Sequence, residues 1–316
     1  MVALQDYLRI SVTDRCDFRC LYCLPKGLPP PQRRASLLTY EEQVVVAQTV
    51  ENLTPLKKVR LTGGEPLLRQ DLHHLVGLLS SLPSHPTIAL TTNGVRLAKA
   101  LPALMDAGLT TVNISIDHPD SDPFSRLTGG GNLSKVLEGL RAAKSAGIHP
   151  LRINSVMTKE TVAVIPALIE LAVNEGADLR LIEMMPFGDN KDYFGAHAVS
   201  ASQIETALAP HVGKRVQPEQ RGRGPARDYA LSGTPQTAGV IAAFSDPGCE
   251  TCSRLRVSST GRISHCLFQT NGVELFPSCA PYNGSNSYQH SRLLSLRNEP
   301  TTLSKLEKVV GIRYRR

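Results

Sequence analysis

Short apolar runs alternate with longer amphipathic stretches about six times along roughly the first 210 residues, and this rhythm limits the possible folds more than any other feature. Tyr7–Val12, Lys58–Leu61, Thr87–Thr91, Thr111–Ser115, Leu151–Val156 and Leu179–Glu183 read as strands. Tyr40–Glu51, Asp71–Leu82, Arg96–Ala107, Asn132–Ala146, Val162–Glu175 and Ala201–Ala209 read as helices, the first with Thr39 and Glu42 as a capping box. Crossovers of helix length require parallel strands, so the expected class is α/β. Six units are too few for a closed eight-unit barrel, which leaves a partial, open barrel or a doubly wound sheet. In either, chemistry gathers at the C-terminal ends of the strands.

From about Gly213 the texture changes. Gln217–Ala226 is a Gly/Pro/Arg-rich linker. Ala226–Leu231, Gly239–Phe244, Ser253–Ser258 and Arg262–Cys266 follow as short alternating segments, with a hairpin signal at Thr260-Gly261. The expected division is a strand–helix unit over 1–212, a small antiparallel appendix over 213–268 and a divergent tail over 269–316. No apolar run approaches the ~18 residues of a membrane span. Asp6, Arg9, Asp14 and Arg15 come too early for a secretory signal. Seven cysteines, an odd number, argue for a reducing compartment in which clustered thiols bind metal or react. A net charge of +7 asks for an acidic partner without naming one.

Six of the cysteines form two triads. Cys16, Cys20 and Cys23 lie in the loop directly after the first strand. Closed zinc sites and ordinary iron–sulfur clusters take four protein ligands, and no fourth Cys or His is near. One position is left for something else, as a catalytic centre needs. Cys249, Cys252 and Cys266 span the predicted hairpin, again one ligand short. Cys279 reads as a spare buried thiol rather than the fourth. After the second strand comes Gly63-Gly64-Glu65-Pro66, where two glycines let the backbone approach a ligand closely. Arg9, Arg60 and Arg152 fall inside predicted strands, and Arg254 and Arg256 share one face of another. Taken singly each would pair with a carboxylate or sit at a rim. Together, near two candidate metal loops, they suit a polyphosphate.

The CxxxCxxC loop followed one strand later by GGEP resembles the radical S-adenosylmethionine (SAM) superfamily. Tyr7 to Cys16, Arg60 to Arg69, Thr91 to Gly94, Cys252 to Arg256 and Cys266 to Phe268 are similar to the molybdenum cofactor biosynthesis A family, the GTP 3′,8-cyclases. The resemblance runs from about Asp6 to Phe268. It implies a six-unit TIM-like partial barrel with an iron–sulfur appendix, and a radical lyase that closes a carbon–carbon bond within GTP. Cys16, Cys20 and Cys23 would hold a 4Fe–4S cluster that cleaves SAM. Tyr22 (through its backbone), Gly64, Ser115 and Met185 would contact SAM. Cys249, Cys252 and Cys266 would hold a second 4Fe–4S cluster facing the guanine. Arg9, Arg60, Thr91, Arg152, Arg254 and Arg256 would bind GTP. A radical at ribose C3′ would attack guanine C8. The implied partners are GTP, an electron donor, a downstream pyranopterin monophosphate synthase and a second copy of the chain, with no nucleic acid and no membrane. The implied compartment is the cytoplasm or an organellar matrix.

The chain departs from the family pattern at three places. Asp17 stands where the family has Asn, and Arg152 where it has Lys. The chain ends Arg313-Tyr314-Arg315-Arg316 without the family's Gly-Gly, so a relative with reduced activity is one alternative. Another is a SAM-dependent peptide-modifying enzyme with an auxiliary cluster, which the strand arginines disfavour. A zinc-stabilised nucleic-acid binder would also be basic, but the basic residues are dispersed and aromatics are only 5%.

Overall fold

The computed structural model describes residues 5–27, 30, 32–216, 225–268 and 272–275. The strands are β1 (Tyr7–Ser11), β2 (Lys58–Thr62), β3 (Thr87–Thr92), β4 (Leu109–Ser115), β5 (Leu151–Met157) and β6 (Asp178–Glu183). They pair in parallel and in chain order. Between and after them run α1 (Tyr40–Leu53), α2 (Leu72–Ser80), α3 (Leu97–Asp106), α4 (Ser121–Thr128), α5 (Leu133–Ser145), α6 (Ile165–Asn174), α7 (Lys191–His197) and α8 (Ala201–Leu208). The capping box at Thr39 and Glu42 is present, and Asn132 caps α5. Of these helices, α4 and α7 have no counterpart in the expectation: both are short, and they lie in the connections after β4 and β6.

A doubly wound sheet reverses its strand order at a switch point. This sheet does not: β1 to β6 run consecutively, so the doubly wound alternative is excluded. Strand alternation then sorts the residues into two faces. Leu8, Ile10, Val59, Leu61, Ile88, Leu90, Val112, Ile114, Ile153, Leu179 and Leu181 are fully buried and form one core with helix residues such as Val46, Leu75, Leu140 and Leu168. The opposite face carries Tyr7, Arg9, Lys58, Arg60, Thr91, Asn113, Arg152 and Arg180. A parallel sheet covered on both sides is ordinarily apolar throughout. The polar face here departs from that pattern.

The strands expected to form a separate appendix instead continue this sheet at both edges. β7 (Val212–Arg215), β8 (Arg227–Leu231) and β9 (Thr237–Ile241) pair antiparallel with one another, and β9 lies parallel to β6. At the other edge, β10 (Arg254–Val257) lies parallel to β1, with β11 (Arg262–Ser264) and β12 (Val273–Glu274) added antiparallel. The physical reason is pattern continuity. Ala238, Val240, Leu255 and Val257 are buried and extend the same apolar face, so they share the existing core. Cys279 and the altered C-terminus lie outside the described residues. Among the described residues no helix is long and apolar enough to cross a membrane.

Ile10 sits at the centre of the core, fully buried and in register between Val257 and Leu61. Ile10→Ala is expected to cost about 2–5 kcal/mol, read as a lower urea midpoint with an unchanged slope.

Candidate active site

The first cysteine loop is held in place mainly by backbone. The Cys23 and Leu24 N–H groups both donate to the Cys20 carbonyl at 2.9 Å, closing a tight turn. The Arg19 and Leu21 N–H groups donate to the Thr128 and Leu127 carbonyls at the end of α4, at 2.8 and 3.0 Å. Phe18 packs edge-on against the fully buried Phe124. α4 is therefore the platform of this loop.

The GGEP turn is locked to the base of the same loop. Gly64 N–H donates to Thr13 O at 2.9 Å and Glu65 N–H to Arg15 O at 2.7 Å. A Cβ on Gly63 would stand 2.7 Å from Thr13 O, and one on Gly64 would fall onto the Arg15 carbonyl. Both glycines are thus required by close backbone approach. The buried Glu65 carboxyl accepts from Thr92 Oγ1 (2.7 Å), Asn93 N–H (2.6 Å) and Leu67 N–H (2.9 Å), fastening the end of β2 to the end of β3. Burial outweighs these donors and lifts its pKa to about 7. Asp17 is paired: Asn93 Nδ2 donates to it at 2.6 Å, and Arg96 Nε lies 3.4 Å away. Its negative charge is thereby balanced.

Tyr22 is fixed at both ends. Its hydroxyl donates to Asp117 at 2.8 Å, and its carbonyl accepts from Asn190 Nδ2 at 2.7 Å. Asp117, two residues past Ser115 at the end of β4, also accepts from Val156 N–H at 2.8 Å. Burial raises its pKa to about 6 against these hydrogen bonds. Asn190 Nδ2 also reaches the Met185 carbonyl at 2.9 Å, so Tyr22 and Met185 meet through it. Met185 lies just beyond β6.

On the inner face, strand register sets the cations side by side. Arg9 is paired with Arg60 on β2 and with Arg256 on β10, while Tyr7 is paired with Lys58 and Arg254. Adjacent strands are only about 4.8 Å apart, and like charges directly opposite destabilise a sheet. Arg60 donates to the Tyr7 hydroxyl (2.8 Å) and to Thr91 Oγ1 (2.9 Å). Arg152 Nε lies 3.8 Å from Asp178. The buried Nε atoms of Arg9 and Arg256 have no hydrogen-bond partner. Burial lowers the Arg9 and Arg152 pKa values to about 10, helped by neighbouring arginines, and lowers Lys58 to about 8. Burial alone would raise the Tyr7 phenol; Arg60, Arg9 and Lys58 together bring it down to about 8.

The second triad borders this row. Arg254 Nε donates to Cys252 Sγ at 3.2 Å, and Phe268 N–H to Cys266 Sγ at 3.4 Å. Although burial opposes it, hydrogen bonds from Arg254 and the Arg254 and Arg256 charges lower the Cys252 pKa. Cys249 is exposed. An aromatic row, Phe194–Phe244–Phe268, runs from α7 to this loop with centroids 5.4 and 6.2 Å apart.

The thiols of the first triad suit the iron–sulfur cluster that the radical SAM family implies. Burial raises the Cys16 thiol to about 11 and moves Cys20 and Cys23 in the same direction, so a metal charge is needed to hold them as thiolates. Among the described residues no three Cys, His, Asp or Glu side chains converge on a single ion.

A CxxxCxxC loop on the first of six consecutive parallel strands, braced by GGEP on the second, defines a radical SAM protein. Residues 10–172 match the Radical SAM superfamily model, and residues 177–286 match Molybdenum Cofactor Synthesis C. The GTP 3′,8-cyclase of Pelotomaculum thermopropionicum is 38% identical over 85% of this chain and 83% of its own. That of Petrotoga mobilis is 36% identical over 83% of this chain and 81% of its own. The chain belongs to the GTP 3′,8-cyclase family. Among solved structures, Streptococcus suis SuiB bound to S-adenosylmethionine aligns with a TM-score of 0.62 at 15% identity, covering 99% of this chain and 69% of SuiB. At that identity the likeness speaks for the fold alone.

Sequence reasoning missed Tyr7, Lys58, Asp117 and Asn190. The first two were within reach, since each lies two residues before a singled-out arginine and shares its face. Asp117 is two residues past Ser115. Nothing in the sequence marks Asn190.

The cation row generates a pH prediction. As pH rises through about 8, Lys58 loses its positive charge and Tyr7 gains a negative one. Both changes weaken anion binding, so calorimetry should show affinity for inorganic triphosphate falling across that range. The Lys58→Met/Tyr7→Phe double variant should flatten the profile.

Proposed function

We propose that this chain converts GTP to 3′,8-cyclo-7,8-dihydro-GTP, the first step of molybdenum cofactor biosynthesis, as a radical SAM lyase. The observation that carries the reading is the in-register row Arg256–Arg9–Arg60, lying between the two cysteine loops. Buried neighbouring guanidinium groups are stable together when an anion offsets them, and a triphosphate satisfies several forks at once. The fold is read as a six-unit partial barrel over 1–212 with the cluster-bearing segment 213–268 completing it.

Cys16, Cys20 and Cys23 would hold the first 4Fe–4S cluster, and Cys249, Cys252 and Cys266 the second. When bound, the first cluster with SAM supplies a hydrogen-abstracting radical. The protein's own contribution is placement. Tyr22 through its backbone, Gly64, Ser115 and Met185 line the end of the sheet assigned to SAM. Arg9, Arg60, Thr91, Arg152, Arg254 and Arg256 line the part assigned to GTP. Arg60, held by Tyr7 and Thr91, offers a pre-oriented donor, while Asp178 restrains Arg152. In Arg152 a fork replaces the point charge of the family's Lys. An electron donor, pyranopterin monophosphate synthase as recipient of the product, and a second copy of the chain complete the reading, in the cytoplasm or an organellar matrix.

The test is anaerobic reconstitution followed by iron counting and product analysis with GTP. Two clusters per chain and the cyclised nucleotide are expected; zinc, or a single cluster, contradicts the reading. Arg256→Ala should keep the iron of the first cluster and lower GTP affinity about tenfold or more, since it removes a charge-assisted contact.

A further inference from the structure

We infer that Asn190 is a positioning residue for SAM: its one carboxamide sets the spacing of the Tyr22 and Met185 carbonyls. Three observations carry this. Asn190 is fully buried. Its Nδ2 donates to Tyr22 O at 2.7 Å and to Met185 O at 2.9 Å, and its Oδ1 accepts from Phe187 N–H at 2.9 Å. Its backbone carbonyl accepts from Phe194 N–H at 2.7 Å, in the first turn of α7.

A primary amide has two N–H donors, and here each goes to a different backbone carbonyl. Those carbonyls come from the cysteine loop after β1 and from the loop after β6, the first and the last of the six parallel strands. No backbone hydrogen bond joins Tyr22 to Met185. The carboxamide is therefore the direct tie between them. Its orientation is fixed by its partners, since the flipped amide would aim its oxygen at two carbonyls and its NH₂ at an N–H donor. Each carbonyl keeps a second lone pair for a ligand. A buried carbonyl stripped of its donor costs free energy, so losing the amide moves both acceptors. Asp117 plays a complementary part by holding the Tyr22 ring.

The inference rests on the reading that Tyr22, through its backbone, and Met185 contact SAM, and the experiment separates the two. SAM and GTP affinities are measured by equilibrium dialysis on reconstituted protein, with iron counted and the thermal midpoint recorded. Asn190→Asp keeps the size of the side chain and its acceptor to Phe187 but removes both donors. Asn190→Ser leaves one donor. Asn190→Asp is expected to weaken SAM binding about tenfold or more, the scale seen for supporting partners of a ligand site. Asn190→Ser should fall between it and wild type, with GTP affinity and first-cluster iron unchanged in both. Where Asn190→Asp does not fold, the Ser variant decides. Unchanged SAM affinity while wild type binds overturns the positioning role alone. Joint loss of SAM, GTP and iron makes Asn190 merely structural and also overturns it. Wild type failing to bind SAM overturns this inference together with the reading beneath it.

Discussion

The arrangement depends on cations forced into adjacency. Strand register places Arg256, Arg9 and Arg60 side by side on one face of β10, β1 and β2, with Lys58 and Arg254 one pleat away beside Tyr7. Such a row opposes folding unless it is offset. Part of the offset is internal: the Tyr7 phenol takes a hydrogen bond from Arg60, and Asp178 sits near Arg152. The remainder is a demand for an anion, which is what supports the proposed nucleotide site.

The other face makes this tolerable. Leu8, Ile10, Val59 and Leu61 alternate with the charged residues and are fully buried against the helices. The sheet therefore has its own apolar support, and the inner face is free to be polar. The cysteine loop and GGEP turn are joined to each other at the C-terminal ends of β1 and β2 by backbone hydrogen bonds. Because those contacts need glycine at 63 and 64, the two motifs are a single structural unit.

Much of this was legible in the sequence because it is written in local periodicity. The six parallel strands, the Thr39 capping box and both cysteine triads follow from spacing within a few residues. The attachment of β9 and β10 to opposite edges was not legible, since it depends on which edge strand each apolar face meets, a long-range choice. The links Tyr22–Asp117 and Tyr22–Asn190 span 95 and 168 residues, and no local rule could pair them. The Arg9–Arg60–Arg256 row lay between these cases: each arginine could be picked out, but register alone makes them neighbours. The family resemblance named the residues; the sheet explains why they sit together.

In the proposed reaction the cation row would hold the triphosphate so that ribose C3′ faces the end of the sheet carrying Cys16, Cys20 and Cys23. The most direct measurement is mass spectrometry of the 5′-deoxyadenosine formed when reconstituted protein turns over GTP carrying deuterium at C3′. One deuterium is expected to transfer from C3′ to 5′-deoxyadenosine. Unlabelled 5′-deoxyadenosine, formed while labelled GTP is consumed, would contradict it.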